Sequence, residues 1–210
     1  TNFDNLKVYK NIDAINCQDS VFGRQAKFQN HNVAVNGGNQ NTSFNLSITA
    51  NREEGIQLQS GFDRNLVNFK LDHKISEKVK VGFTTRYLNQ VIRGAGTTNS
   101  GTRTTNRLRH TINYRPFEIP FNGGGADDFD EAYYIASAGA INPVILTEAE
   151  YRKQTTNALY LTGYLNINIT KNLVFRSTVG YDNAGVGTDL FYSKITPTAR
   201  NFASLPVASI

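Results

Sequence analysis

The densest group of possible metal ligands in this chain is Asp127-Asp128-Phe129-Asp130-Glu131. Carboxylate oxygens suit a hard cation, so Asp127, Asp128 and Asp130 are a Ca²⁺ candidate. The run lacks the Asp-x-Asp-x-Asp-Gly spacing of a calcium loop, and no metal is assigned to it. Tyr133 and Tyr134 follow, with flat faces that stack on a sugar or peptide or pin the loop to its surroundings. Six arginines fall between Arg86 and Arg115. Arg103, Arg107 and Arg109 fan over one side of a helix if that stretch is helical, and Arg107, with Thr104 and His110 three residues away on either side, is the best-placed ligand or lid contact. Cys17 is the one cysteine and cannot form an internal disulfide. His31, His73 and His110 show no metal-ligand spacing. No G-x-S-x-G, H-E-x-x-H, P-loop or Cys/His cluster is present, so neither a catalytic set nor a cofactor is expected. The basic residues are dispersed and carry no aromatic-basic motif, which argues against nucleic acid.

The elements that must position these groups read as strands of period two. Leu159, Leu161, Leu165, Ile167 and Ile169 share one face, and Tyr160, Thr162, Asn166, Asn168 and Thr170 share the other. After Lys171-Asn172, the residues Leu173, Phe175, Val179 and Tyr181 alternate with Arg176, Thr178 and Asp182. Earlier strands are expected over about 28–36, 42–51, 62–75 and 79–91, with turns at Gly37-Gly38-Asn39-Gln40-Asn41 and Ser76-Glu77-Lys78. Short connections alternate with long ones, as in outer-membrane barrels. That alternation places Tyr87 and Tyr181 near the outer membrane interface and points Lys70, Asp72, Arg86 and Arg176 into the lumen. The expected division is 1–27 loop, 28–92 four strands, 93–155 a long extracellular excursion, 156–182 two strands and 183–210 loop. Within the excursion, short helices are expected over 104–114 and after Thr147 as N-cap.

Apolar residues make up 39% of the chain and the net charge is +5. Mean hydropathy is −0.41, ordinary for a barrel in which every second residue meets lipid. No run of 18 apolar residues exists, which excludes a transmembrane helix. About six strands cannot close a membrane barrel, whose minimum is about eight, so the chain is expected to be part of something longer. A soluble β-sandwich explains the same alternation.

Several strings then resemble one family. Gln18-Asp19-Ser20-Val21-Phe22, Gln29-Asn30-His31-Asn32-Val33-Ala34-Val35-Asn36-Gly37-Gly38, Asn41-Thr42-Ser43-Phe44-Asn45-Leu46-Ser47, Glu54-Gly55-Ile56 and Phe175-Arg176-Ser177-Thr178-Val179-Gly180-Tyr181-Asp182 occur in the order found in SusC/RagA-type TonB-dependent outer-membrane transporters. Ser60-Gly61-Phe62-Asp63-Arg64, Leu71-Asp72-His73-Lys74 and Lys78-Val79-Lys80-Val81-Gly82 continue the series. Cys17 departs from the aromatic residue usual there, and 126–155 matches nothing in the pattern.

The resemblance implies an all-β fold, an antiparallel transmembrane arc near the N-terminal side of a plugged barrel of about 22 strands. It implies an outer-membrane location, import of an oligosaccharide or peptide under a SusD-like surface lipoprotein, and energy delivered through TonB. Arg103, Arg107, His110, Tyr133 and Tyr134 are then substrate or lid contacts. The competing readings are a secreted or surface glycan-binding β-sandwich and a barrel scaffold that transports nothing.

Overall fold

The computed structural model describes residues 13–94, 107–116, 139–200 and 207–209. Six long strands and one short strand form a single antiparallel sheet in chain order. They are β1 (Phe28–Gly38), β2 (Thr42–Glu54), β3 (Gly61–Lys74), β4 (Val79–Arg93), β5 (Glu150–Thr170), β6 (Leu173–Tyr192) and β7 (Val207–Ser209). Among the described residues, four short helices lie outside the sheet: α1 (Cys17–Phe22), α2 (Arg107–Asn113), α3 (Pro143–Glu148) and α4 (Pro197–Arg200). No helix among the described residues is long and apolar enough to cross a membrane, a criterion silent on strands.

Tight turns join the strands at one end because their residues supply local hydrogen bonds. Asn39 Oδ1 accepts from the amides of Asn41 (2.9 Å) and Thr42 (2.8 Å), an Asx turn. Ser76 Oγ accepts from the amides of Lys78 (3.3 Å) and Val79 (3.2 Å).

Register sorts the side chains onto two faces. One carries Val33, Ile48, Val67, Tyr87 and Leu159 on a single cross-strand rung, then Val35, Leu46, Phe69, Leu161 and Tyr181 on the next toward the tight turns. The opposite face carries Asn36, Asn45, Lys70, Thr84, Thr162 and Gly180 on one rung. The apolar face is bare: Val33 is 64% and Val179 71% exposed. No second sheet covers it among the described residues, whereas a sandwich buries that face against its partner sheet. A close fit knits the apolar face at Gly37, where a Cβ would lie 2.6 Å from the Phe44 ring, so the ring lies across the glycine on the neighbouring strand.

Two expected boundaries are corrected. β5 begins at Glu150, inside the expected loop 93–155, and β6 runs to Tyr192, inside the expected loop 183–210. In addition, β7 supplies a seventh strand. The helix expected to start after Thr147 instead ends at Glu148: it starts at Pro143, capped by Asn142, whose Oδ1 accepts from the Val144 amide at 3.0 Å. Pro at the first helical position after an Asn cap is a start signal.

Candidate functional site

Two regions gather chemistry: the polar face of the sheet and a helical cap at the end with the long connections. On the polar face, amides and hydroxyls bond across strands. Asn32 Nδ2 donates to Thr49 Oγ1 at 2.6 Å, Asn68 Nδ2 to Ser47 Oγ at 3.3 Å, and Asn45 Nδ2 to Asn36 Oδ1. The charged residues Lys70, Asp72, Arg86 and Arg176 share this face by register. Two of them contact one side chain that sequence reasoning missed, Tyr164, and a third, Lys70, pairs with one of those two. The Tyr164 hydroxyl donates to Asp72 Oδ1 at 2.6 Å, Lys70 Nζ lies 3.1 Å from Asp72 Oδ2, and the Arg176 guanidinium stands 5.4 Å from the Tyr164 ring centre, a cation–π contact. The ring occupies space that only glycine leaves open: a Cβ at Gly82 would lie 2.0 Å from Tyr164 Cε1. The available signal was this glycine, two positions from Lys80 and Thr84 in a strand with no turn. Nearer the long connections, Asn51 Oδ1 and Arg64 Nε are buried with no hydrogen-bond partner among the described residues, on one rung of the same face. Buried polar atoms of that kind call for a partner outside this segment.

The cap is held by α1, α2 and α3, whose buried residues include Cys17, Val21, Leu146 and Arg107. Cys17 is thus a packed residue. Arg107, placed by sequence as a ligand or lid contact, is completely buried and ion-paired to Glu150 at the start of β5. It cannot reach an outside ligand from there; a residue 43 positions away in the chain has claimed it. Burial pushes the Glu150 carboxyl above the usual carboxylate range, opposed by the Arg107 charge, and pushes the Arg107 guanidinium down. His110 is also buried, and its Nδ1 accepts from the Ile141 amide at 3.2 Å. That ring joins α2 to the segment before α3 and is likewise turned inward. Arg103, Tyr133, Tyr134, Asp127, Asp128 and Asp130 lie outside the described residues. No group of three or more metal-ligating side chains comes together among the described residues.

The outer, apolar face ends in a polar belt at the same level on three strands. Asn89 Nδ2 donates to Asn157 Oδ1 at 2.8 Å, the Tyr87 hydroxyl reaches the same oxygen at 3.5 Å, and Asn183 Nδ2 donates to the Tyr181 hydroxyl at 3.2 Å. Tyrosines with an apolar body and a wet tip mark a membrane–water boundary.

No family model matches the sequence. A curated relative, TonB-dependent receptor P26 of Formosa agariphila, is 23% identical over 173 residues, covering 82% of this chain and 16% of the receptor. The RagAB peptide transporter structure superposes with a TM-score of 0.66 at 20% identity, covering 91% of this chain and 22% of that one. The RagAB peptide importer in its open-open state gives 0.66 at 20% identity, covering 87% and 20%. Its fold is an arc of the SusC/RagA-type TonB-dependent transporter barrel. In an arc of such a barrel the polar face would be the inner wall and the apolar face the outer wall. The SusC/RagA-type arc spans about a fifth of the solved chains that it matches. An arc of a barrel is an open sheet, and the outer edge of β1 has no partner strand among the described residues.

Proposed function

We propose that this chain is one wall of an outer-membrane transporter that imports oligosaccharides or peptides, works with a SusD-like surface lipoprotein and is energised through TonB. The single observation that carries this reading is the two-faced sheet. One face is a bare apolar band bounded by a Tyr–Asn belt; the other is a hydrogen-bonded polar wall with buried atoms of Asn51 and Arg64 that find no partner among the described residues. Only lipid outside and water or polar protein inside satisfy both. Similarity to a receptor and a peptide importer supports the same class.

In this reading the wall does no bond chemistry. Lys70, Asp72, Arg86, Arg176 and Tyr164 line the lumen and contact the plug or the passing substrate. Arg107 and His110 hold the cap together from within. Arg103, Tyr133 and Tyr134 are the proposed outward contacts for substrate or lid.

The test is native mass determination of the protein carrying this sequence after extraction from membranes, with uptake of labelled peptides and oligosaccharides measured in the same cells. A polypeptide several times longer than this chain, retained with a lipoprotein and importing one ligand class in a proton-gradient-dependent way, is expected. A membrane barrel without uptake leaves the scaffold reading. A detergent-free species of 23.3 kDa overturns the membrane reading altogether.

A further inference from the structure

The outer wall does not stop at the Tyr–Asn belt. Along β2, β3 and β4 the same face continues past Ile48, Val67 and Tyr87 into Arg52, Asp63 and Arg93. Gln29 of β1 completes the Arg52 rung. These residues line an open cleft of about 610 Å³ together with Arg24 and Lys27 from the chain between α1 and β1. Every strand residue of that lining but Glu53 belongs to the outer face, so the cleft opens on the side that the apolar band occupies lower down.

Its charges are unequally committed. Arg93 is spent on Asp63, at 2.6 Å. Arg24 is fixed by neutral partners: its Nε donates to the Gly55 carbonyl at 3.0 Å and its Nη2 to the Ser60 carbonyl at 2.9 Å, and it forms no ion pair among the described residues. Lys27 and Arg52 are exposed and form no ion pair among the described residues. Three cations therefore face the cleft against Glu53 and Glu54, and Gln29, Gln59 and Ser60 add neutral donors and acceptors.

Height selects the occupant. Same-face residues are spaced about 6.8 Å along a strand, or about 5 Å vertically at a tilt near 45°. Arg52, two such steps beyond Ile48, sits roughly 10 Å above the apolar band, within reach of a headgroup layer for a side chain that bends toward it. A free anion needs no apolar band beneath its site; a lipid does.

We propose that this cleft binds the phosphorylated headgroup of an outer-leaflet glycolipid, with Arg52, Lys27 and Arg24 on the phosphate and Gln29, Gln59 and Ser60 on sugar hydroxyls. Guanidinium and phosphate pair through charge-assisted bonds. The site rests on the membrane reading above but is independent of what the transporter carries.

The test counts phosphorylated glycolipid retained by the full-length detergent-purified protein, by native mass spectrometry, in wild type and in Lys27→Gln/Arg52→Gln. Two cations near an anionic lipid surface together change affinity about thirtyfold, and a loss of that order in the double variant is expected, with retention unaffected by added inorganic phosphate. Heat-modifiable gel migration reports that the variant barrel is folded, and the exposed single variant Lys27→Glu gives a second reading if it is not. Equal retention in folded wild type and variants overturns the site. So does displacement of the lipid by inorganic phosphate, or recovery of an acidic protein segment in the cleft in place of lipid. A protein that needs no detergent overturns the membrane reading as well, so the two failures are distinguishable.

Discussion

Arg107 and Glu150 form a pair whose members fail differently when separated. The guanidinium cannot give up its charge at any ordinary pH, whereas the carboxyl can take a proton. Glu150→Gln leaves a buried, unpaired cation and is expected to cost about 3–5 kcal/mol of cap stability. Arg107→Met leaves a carboxyl that escapes by protonation, and is expected to cost less at pH 5 than at pH 8. The sign follows from burial, which raises the Glu150 pKa above its ordinary 4.5. The folded cap then holds a proton that the unfolded chain releases, so stability falls as pH rises from 4.5 through the raised value. Loss of Arg107 removes the opposing attraction and enlarges the fall. Hydrogen exchange of the Ile141 amide, bonded to His110 inside the cap, reads both variants; a pH-independent Arg107→Met would contradict the argument.

At the scale of the strand, adjacent residues have opposite fates. Phe69 lies in the middle of the apolar band and Asn68 beside it on the polar wall. Phe69→Arg is expected to destabilise the full-length barrel in vesicles by roughly 2–4 kcal/mol, and Asn68→Arg by far less; urea unfolding followed by gel migration separates them. Alternation of this kind made the strands legible from sequence, down to the faces of Lys70, Asp72, Arg86 and Arg176. It also explains where legibility ended. Beyond Leu159 the outer face of β5 reads Asn157, Thr155 and Lys153, and beyond Tyr181 that of β6 reads Asn183, Gly185, Gly187 and Asp189. Backbone pairing continues there, but on β5 both faces are polar, so no period-two contrast remains, and on β6 the apolar residues Ala184, Val186 and Leu190 fall on the face opposite Tyr181, so the alternation breaks phase where the sequence reading ended the strand. The Arg107–Glu150 pair was invisible for another reason: it joins two elements that no local pattern relates. Tyr164 was missed because its place depends on Gly82, across a strand pair.

For the whole molecule, the belt at Tyr87, Asn157 and Tyr181 sets a waterline that can be measured. Nitroxide labels replacing Leu161 and Asn157 in the reconstituted full-length protein are expected to divide cleanly, Leu161 colliding with oxygen and Asn157 with a water-soluble nickel chelate. Equal nickel access at both sites would remove the lipid boundary from this wall. The depth of the band carries a further consequence. On β4 it runs from Val79 to Tyr87, about nine residues, which at roughly 3.3 Å each and a tilt near 45° spans about 21 Å. A typical hydrocarbon core is about 30 Å thick. In such a bilayer the Tyr–Asn belt would be dragged below the surface, and each ångström of excess thickness would add to the cost. In the proposed transporter a band of this depth suits a thin membrane, and the wall's own geometry acts as an address label that disfavours residence in a thicker one.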